Sequence, residues 1–295
     1  MARIAVTGGS GFVGNRAGRA LVAAGHDVVM LSRGKRRTTR PDGARFARAD
    51  VVDGEGLEGA LTGCDAVVHL VAIIRERGKQ TFDRVNRQGT DNVARAAAAA
   101  GVPHFIHLSA IGADPDPYFA YLKSKWEGEQ AVSASGVPYT IIRSSLIFGP
   151  GDAFFSRLTK LVRLNPIIPI VGNGRSLFQP FANSDLSRVI VEAVARGPNN
   201  ATHEVGGPEH LSYDDIIHTI REAVHARIRG QAHVPVRAMV PLAWVMDKIL
   251  PNPPVTPGQL RLLEKNNITR LDAVARDWGF EPISFRTNAE YLQQA

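Results

Sequence analysis

The chain is poor in cysteine, short of long apolar runs and free of internal repeats, and each shortage narrows what it can be. Cys64 is its one cysteine, which excludes an internal disulfide framework and any metal site built on several thiolates, and fits a reducing compartment. The longest apolar stretch, "MVPLAWVMDKIL" from Met239, is broken by Asp247 and Lys248 and falls short of the about 20 residues that a membrane-spanning helix needs. No zinc-finger spacing or aromatic RNA-binding signature accompanies the formal charge of +7. That charge therefore points to anionic partners in general, phosphorylated cofactors and acidic lipid surfaces included, and nucleic acid is not expected. His104 and His107 lie three apart on a predicted strand and face opposite sides, a poor geometry for one metal, so no metal site is expected. The strand pattern starts at Arg3 and leaves no room for a basic region, an apolar stretch and a cleavage site. A cytoplasmic protein is the expectation.

What is present is a rhythm. Apolar runs at "RIAVTG", "DVVMLSR", "ARFARAD", "AVVHLVA", "HFIHLSA" and "YTIIRSS" alternate with helical patterns, three of which close on a glycine at Gly25, Gly101 or Gly136. Strand and helix in alternation predict a parallel sheet covered on both faces, an α/β doubly wound fold of the Rossmann type. After "IFGPGD" the rhythm gives way to Pro-rich stretches such as "LNPIIPIVGNG" and "LPNPPVTPG", which predict a smaller C-terminal lobe. The stretch from Gln179 reads as a strand end, a cap at Ser184 and a helix. The expected division is residues 1–148, with 178–200 returning to them, against a smaller lobe of 149–177 and 201–295.

The stretch "TGGSGFVG" places four glycines in eight residues between the first strand and first helix. Gly8, Gly11 and Gly14 at GxxGxxG spacing in that context predict a dinucleotide loop, with backbone N–H groups and a helix N-terminus facing a pyrophosphate. A cofactor without a 2′-phosphate calls for an acid about 20 residues on, at the end of the second strand. That end reads Ser32, Arg33, Gly34, Lys35, Arg36 and Arg37. Arg33, with Arg36 beyond it, is placed to accept a 2′-phosphate, so NADP(H) is expected over NAD(H); a solvated basic loop is the other reading of Lys35 to Arg37.

On the helix after the fifth strand, "YLKSK" sets Tyr121 and Lys125 one turn apart on one face. An ammonium beside a phenol stabilises the phenolate, and the position is where doubly wound folds bind ligands. With "RADVVD", "VVHLVA", "VNRQGTDNV", "FIHLSA" and "IIRSSLIFGPGD" also in order, the chain resembles the extended short-chain dehydrogenases/reductases over nearly its whole length. The stretches "VHLVAIIRE" and "LTKLVRLNPIIPI" and the Pro-rich tail are similar to the atypical subgroup that includes the dehydrogenase-like accessory subunit of mitochondrial complex I. The resemblance implies cofactor contacts at Gly8, Ser10, Gly11, Phe12 and Val13, adenine contacts at Asp50 and Val51, nicotinamide-side contacts at Leu70 and Ala72, and catalytic roles for Tyr121 and Lys125. It also implies structural asparagines at Asn86 and Asn92. Where the family places a Ser or Thr shortly after the fifth strand to hold the substrate oxygen, this chain has Ser109 and then Ala110 and Ile111. Ser109 either fills that role or caps the strand end.

Three functions remain open on these residues: an NADP(H)-dependent oxidoreductase or epimerase-like enzyme acting on an unidentified small molecule, a non-catalytic NADPH-binding accessory or assembly protein of a respiratory complex, and a peripheral membrane protein attached through the Met239 stretch.

Overall fold

The structure is a computed structural model that describes residues 1–34, 43–227, 230–250 and 255–294. The first 144 residues run β1 (Arg3–Thr7), α1 (Phe12–Ala23), β2 (Asp27–Ser32), β3 (Arg45–Arg48), α2 (Leu57–Leu61), β4 (Ala66–His69), a π-helical turn (Asp83–Gln88) leading into α3 (Gly89–Ala99), β5 (Phe105–Ala110), α4 (Ala120–Ala134) and β6 (Tyr139–Ser144). The chain then builds β7 (Ile147–Phe148), α5 (Phe154–Leu164), β8 (Ile167–Val171), β9 (Leu177–Phe178) and β10 (Phe181–Ala182) before α6 (Asn183–Arg196) and β11 (Ala201–Val205). It ends with β12 (Leu211–Ser212), α7 (Tyr213–Ala223), β13 (Gly230–Val234), α8 (Val236–Ile249), α9 (Pro257–Leu262) and α10 (Ala273–Trp278).

Two compact units result, residues 1–144 with 183–205 and residues 145–182 with 206–295. The first holds a seven-stranded sheet in the order β11-β6-β5-β4-β1-β2-β3, parallel at every pairing. Because helices cover both faces, the inner strands need no polar alternation: Ile4, Ala5 and Val6 of β1 and Val67 and Val68 of β4 are all fully buried. One face packs Leu57 and Leu61 of α2, Val93 and Ala97 of α3 and Val132 of α4 against Ala5, Val29, Val67 and Phe105. Gly25, Gly101 and Gly136 adopt φ of +83°, +66° and +79°, the left-handed conformation that ends a helix at low cost in glycine. The order in which the chain adds strands switches from one side of β1 to the other at β4, the point beyond whose C-terminal strand ends doubly wound sheets bind ligands.

The boundaries differ from the sequence pattern at several points. Residues 145–148 and 178–182, expected with the first domain, belong to the second unit, where Phe148, Phe178 and Ala182 join its core. Residues 201–205, expected in the smaller lobe, form β11 and pair with β6 from Ala201↔Thr140 to Val205↔Ser144. As the sheet's edge strand it buries only Val205, so no apolar run announces it. Helix α6 starts at Asn183, one residue before the expected cap at Ser184, and the Asn183 side chain donates to the carbonyl of Phe12 at 3.0 Å.

The second unit is held by a core of Phe148, Phe155, Phe178, Ile216, Ile220 and Phe285. Short strands pair β7 with β10, β9 with β12 and β8 with β13. A capping box between Ser212 and Asp215 starts α7. Among the described residues no helix is long and apolar enough to cross a membrane.

Candidate functional site

The loop after β1 is glycine-rich because side chains do not fit. Gly8 has φ +72°, and a Cβ there would lie 3.1 Å from the carbonyl carbon of Leu70. At Gly14 a Cβ would sit 2.2 Å from the Gly8 carbonyl oxygen, so the first turn of α1 can pack on the loop only with glycine there. The Gly11 amide donates to the Gly8 carbonyl at 2.9 Å, which closes the turn, and Gly11 caps α1 through its backbone alone. No acid occupies the first turn of α1. The amides that begin α1 have no side-chain cap and lie among exposed Ser10 and Gly11 and half-buried Phe12 and Val13, a concentration of positive partial charge that favours an anion.

Around this loop the other expected contacts gather. Leu70 lies against Gly8 and is half-buried, with exposed Ala72 following. Arg33, at the end of β2, is exposed and its Nε lies 4.0 Å from Asp50 Oδ2. Asp50 is fixed in turn by accepting the Val52 amide at 2.9 Å. Val51 is buried, and the carbonyls of Val51 and Val52 both accept from Asn92 Nδ2 at 3.0 Å. Arg36 lies outside the described residues.

Tyr121 and Lys125 stand on α4. Tyr121 is half-buried with its ring edge-on to Phe82 at 5.9 Å; burial pushes its phenol up to about 12. Lys125 is 3% exposed and donates to the Leu108 carbonyl at 2.7 Å. Burial lowers its ammonium to about 8, against an opposing pull from Glu129. In this structure burial dominates the phenol, and the lowering expected from the neighbouring ammonium does not overcome it. Ser109 belongs to β5 and pairs with Arg143 in register. Its hydroxyl is buried without a hydrogen-bond partner among the described residues.

Sequence reasoning missed the polar layer beside these groups. His69 is fully buried; Thr90 Oγ1 gives its proton to the Asn86 carbonyl at 2.6 Å and must accept from His69 Nε2 at 3.1 Å. The ring is thereby fixed as the Nε2–H tautomer, and Nδ1 accepts from Thr7 Oγ1 at 2.7 Å. Burial, with the Lys125 charge adding to it, holds His69 neutral by lowering it to about 3. His107 stacks on it at 5.4 Å and 14°, with both ring nitrogens buried and unpartnered among the described residues. Asn86 exchanges two hydrogen bonds with the backbone of Ile73 and donates to Ser124 Oγ at 2.9 Å, which in turn donates to the Tyr121 carbonyl at 2.7 Å. Loop bracing is what both asparagines do. Among the described residues no group of three His, Cys, Asp or Glu side chains could hold a metal.

Residues 8–149, which include the glycine-built turn and the acid-free start of α1, are matched by a family model described as NAD(P)H-binding. Residues 8–149 are an NAD(P)H-binding domain. The chain containing it is 33% identical to ceramide reductase of Caulobacter vibrioides over 57% of this chain and 53% of that protein. It is 27% identical to 2-alkyl-3-oxoalkanoate reductase of Stenotrophomonas maltophilia, over 95% and 94%. It is 24% identical to the NADH-ubiquinone oxidoreductase 40 kDa subunit of Neurospora crassa, over 82% and 67%. It also matches an uncharacterized protein of Mycobacterium tuberculosis at 29% identity, of whose length it spans 28%. UDP-glucuronic acid 4-epimerase of Bacillus cereus, solved with UDP-glucuronic acid and NAD, superposes with a TM-score of 0.75 at 22% identity over 99% of both chains. The chain thus shares the Rossmann-like α/β fold of that epimerase.

Proposed function

We propose that the chain is an NADP(H)-dependent oxidoreductase that works as a carbonyl reductase. The observation that carries this reading is the pair on α4: a phenol, protonated at neutral pH and pushed further from ionising by burial, and, one turn on, a buried ammonium anchored to the Leu108 carbonyl. A protonated phenol is a proton donor, which suits reduction of a carbonyl to an alcohol. The residues fit a dinucleotide: a side chain is excluded at Gly8 and Gly14, and the α1 N-terminus carries no acid to repel phosphate. Gly8, Ser10, Gly11, Phe12 and Val13 would hold the pyrophosphate, Asp50 and Val51 the adenine side, and Leu70 and Ala72 the nicotinamide side. Arg33 and Arg36 would accept the 2′-phosphate, a preference supported by the lack of a carboxylate from Ser32 to Arg37. When bound, the dinucleotide supplies hydride exchange. Tyr121 would give its proton to the substrate oxygen and recover one from bulk water once product leaves, Ser109 would hold that oxygen, and Lys125 would orient the ribose.

A second reading, a non-catalytic NADPH-binding accessory protein, is favoured by one feature. Ser109 is enclosed within β5, and Ala110 and Ile111 after it are buried and apolar. The similarity to the 40 kDa subunit supports the same reading. Calorimetric titration of NADPH and NADH against the wild type, Arg33→Ala and Tyr121→Phe separates the two. NADPH should bind the wild type more tightly, and Arg33→Ala should weaken NADPH alone by roughly 10- to 100-fold. Tyr121→Phe should leave binding intact and abolish function in cells. Equal or tighter NADH binding removes the cofactor assignment; full cellular function of Tyr121→Phe removes the catalytic one.

A further inference from the structure

Helix α8 carries large apolar side chains on two opposite sides, yet only one of these is covered. Val236 and Ala243 are buried with Val171 and Leu260, and Met239 and Met246 pack at the margin of that cluster. On the opposite side Leu242, Trp244, Val245 and Ile249 are 61%, 57%, 43% and 73% exposed, and Leu250 at the helix end is 42% exposed. Scattered exposed apolar residues are ordinary; a contiguous helical face of them is not, and marks a surface that meets a partner or a membrane.

Charge selects the occupant. Arg237 and Lys248 are exposed on this same side, and Lys248 Nζ lies 5.9 Å from the centre of the Trp244 ring. The helix's one acid, Asp247, is half-buried. The exposed face carries donors and cations but no carboxylate, amide or hydroxyl side chain, which suits a surface of anionic acceptors. Tryptophan and cations beside bulky aliphatic side chains are the composition of a helix lying in a bilayer interface. We propose that α8 docks its own unit on the surface of an anionic phospholipid bilayer. The aliphatic side chains enter the boundary between headgroups and acyl chains, Trp244 sits at headgroup depth, and Arg237 and Lys248 engage lipid phosphates.

The test is sedimentation of the full chain with phosphatidylcholine vesicles, with and without phosphatidylglycerol, no nucleotide being present. The wild type should sediment with the anionic vesicles. Arg237→Gln with Lys248→Gln should weaken that partition by roughly thirtyfold, each cation near an anionic surface being worth a factor of about five. Leu242→Ser with Ile249→Ser should abolish it; both side chains are exposed, so an unchanged thermal transition verifies that the fold survives. Failure to sediment with either vesicle, or binding that both double variants leave unchanged, overturns the proposal. Concentration-dependent self-association in place of vesicle binding, removed by Leu242→Ser with Ile249→Ser, assigns the face to a second copy of the chain and overturns it equally.

Discussion

Replacing Lys125 with methionine isolates a single buried charge. The ordinary lysine value is ~10.4, and burial brings Lys125 down to about 8. At about 1.4 kcal/mol per pKa unit, keeping this ammonium inside the fold costs about 3 kcal/mol at neutral pH. Between the two values the unfolded chain binds the proton more tightly than the folded one. Stability of the wild type therefore rises with pH over that window, the cost being complete below pH about 8 and gone above pH ~10.4. Methionine fills similar space and does not titrate. The variant also loses the hydrogen bond to the Leu108 carbonyl, a loss of about 1–3 kcal/mol that does not depend on pH. The slope is thus the readout rather than the offset: from about pH 7 to about pH 10 the wild type should gain about 2 kcal/mol on Lys125→Met. Urea unfolding followed by circular dichroism at several pH values measures it. A difference between the two proteins that stays flat across that range refutes a dry, depressed lysine.

Three other substitutions probe the same unit. Gly14→Ala places a methyl 2.2 Å from a backbone oxygen that cannot yield; thermal unfolding should show a loss of about 1–3 kcal/mol, and calorimetry a loss of nucleotide affinity. Thr90→Val leaves His69 Nε2–H without its acceptor, so urea unfolding should show a cost of about 1–3 kcal/mol. Because His69 stays neutral down to about pH 3, that cost should not vary between about pH 5 and 8. Glu129→Gln breaks the bidentate pair that Arg143 makes with the buried carboxylate at 2.8 and 2.6 Å. It should cost about 3–5 kcal/mol in urea unfolding, and it removes the one acid that raises the Lys125 pKa, moving the lysine titration to lower pH.

Periodicity made the parallel sheet legible because strands buried on both faces are continuous apolar runs, and Gly25, Gly101 and Gly136 marked helix ends because left-handed backbone favours glycine. The loop from Gly8 to Gly14 was legible for the same reason. Strand β11 was not: an edge strand reading "ATHEV" carries one buried apolar residue and looks like a loop. The layer of Thr7, His69, Thr90 and His107 was equally hidden. A buried, hydrogen-bonded polar side chain has the same letter as a solvated one, and only the register that aligns Thr7 with His69 and His69 with His107 brings these groups together. The balance at Tyr121 depended on how dry α4 is, which spacing does not encode.

The excursion from Ser145 to Ala182 matters for how this protein is made. The polypeptide leaves its nucleotide-binding unit before that unit is complete and supplies α6 and the outermost strand only by residue 205. A ribosome that has emitted the whole of residues 8–149 has therefore exposed β6 as an open edge, with a row of amides and carbonyls awaiting a neighbour. Expression of that segment by itself should yield sticky, aggregating material, and any dissection of the two units has to graft residues 183–205 back on.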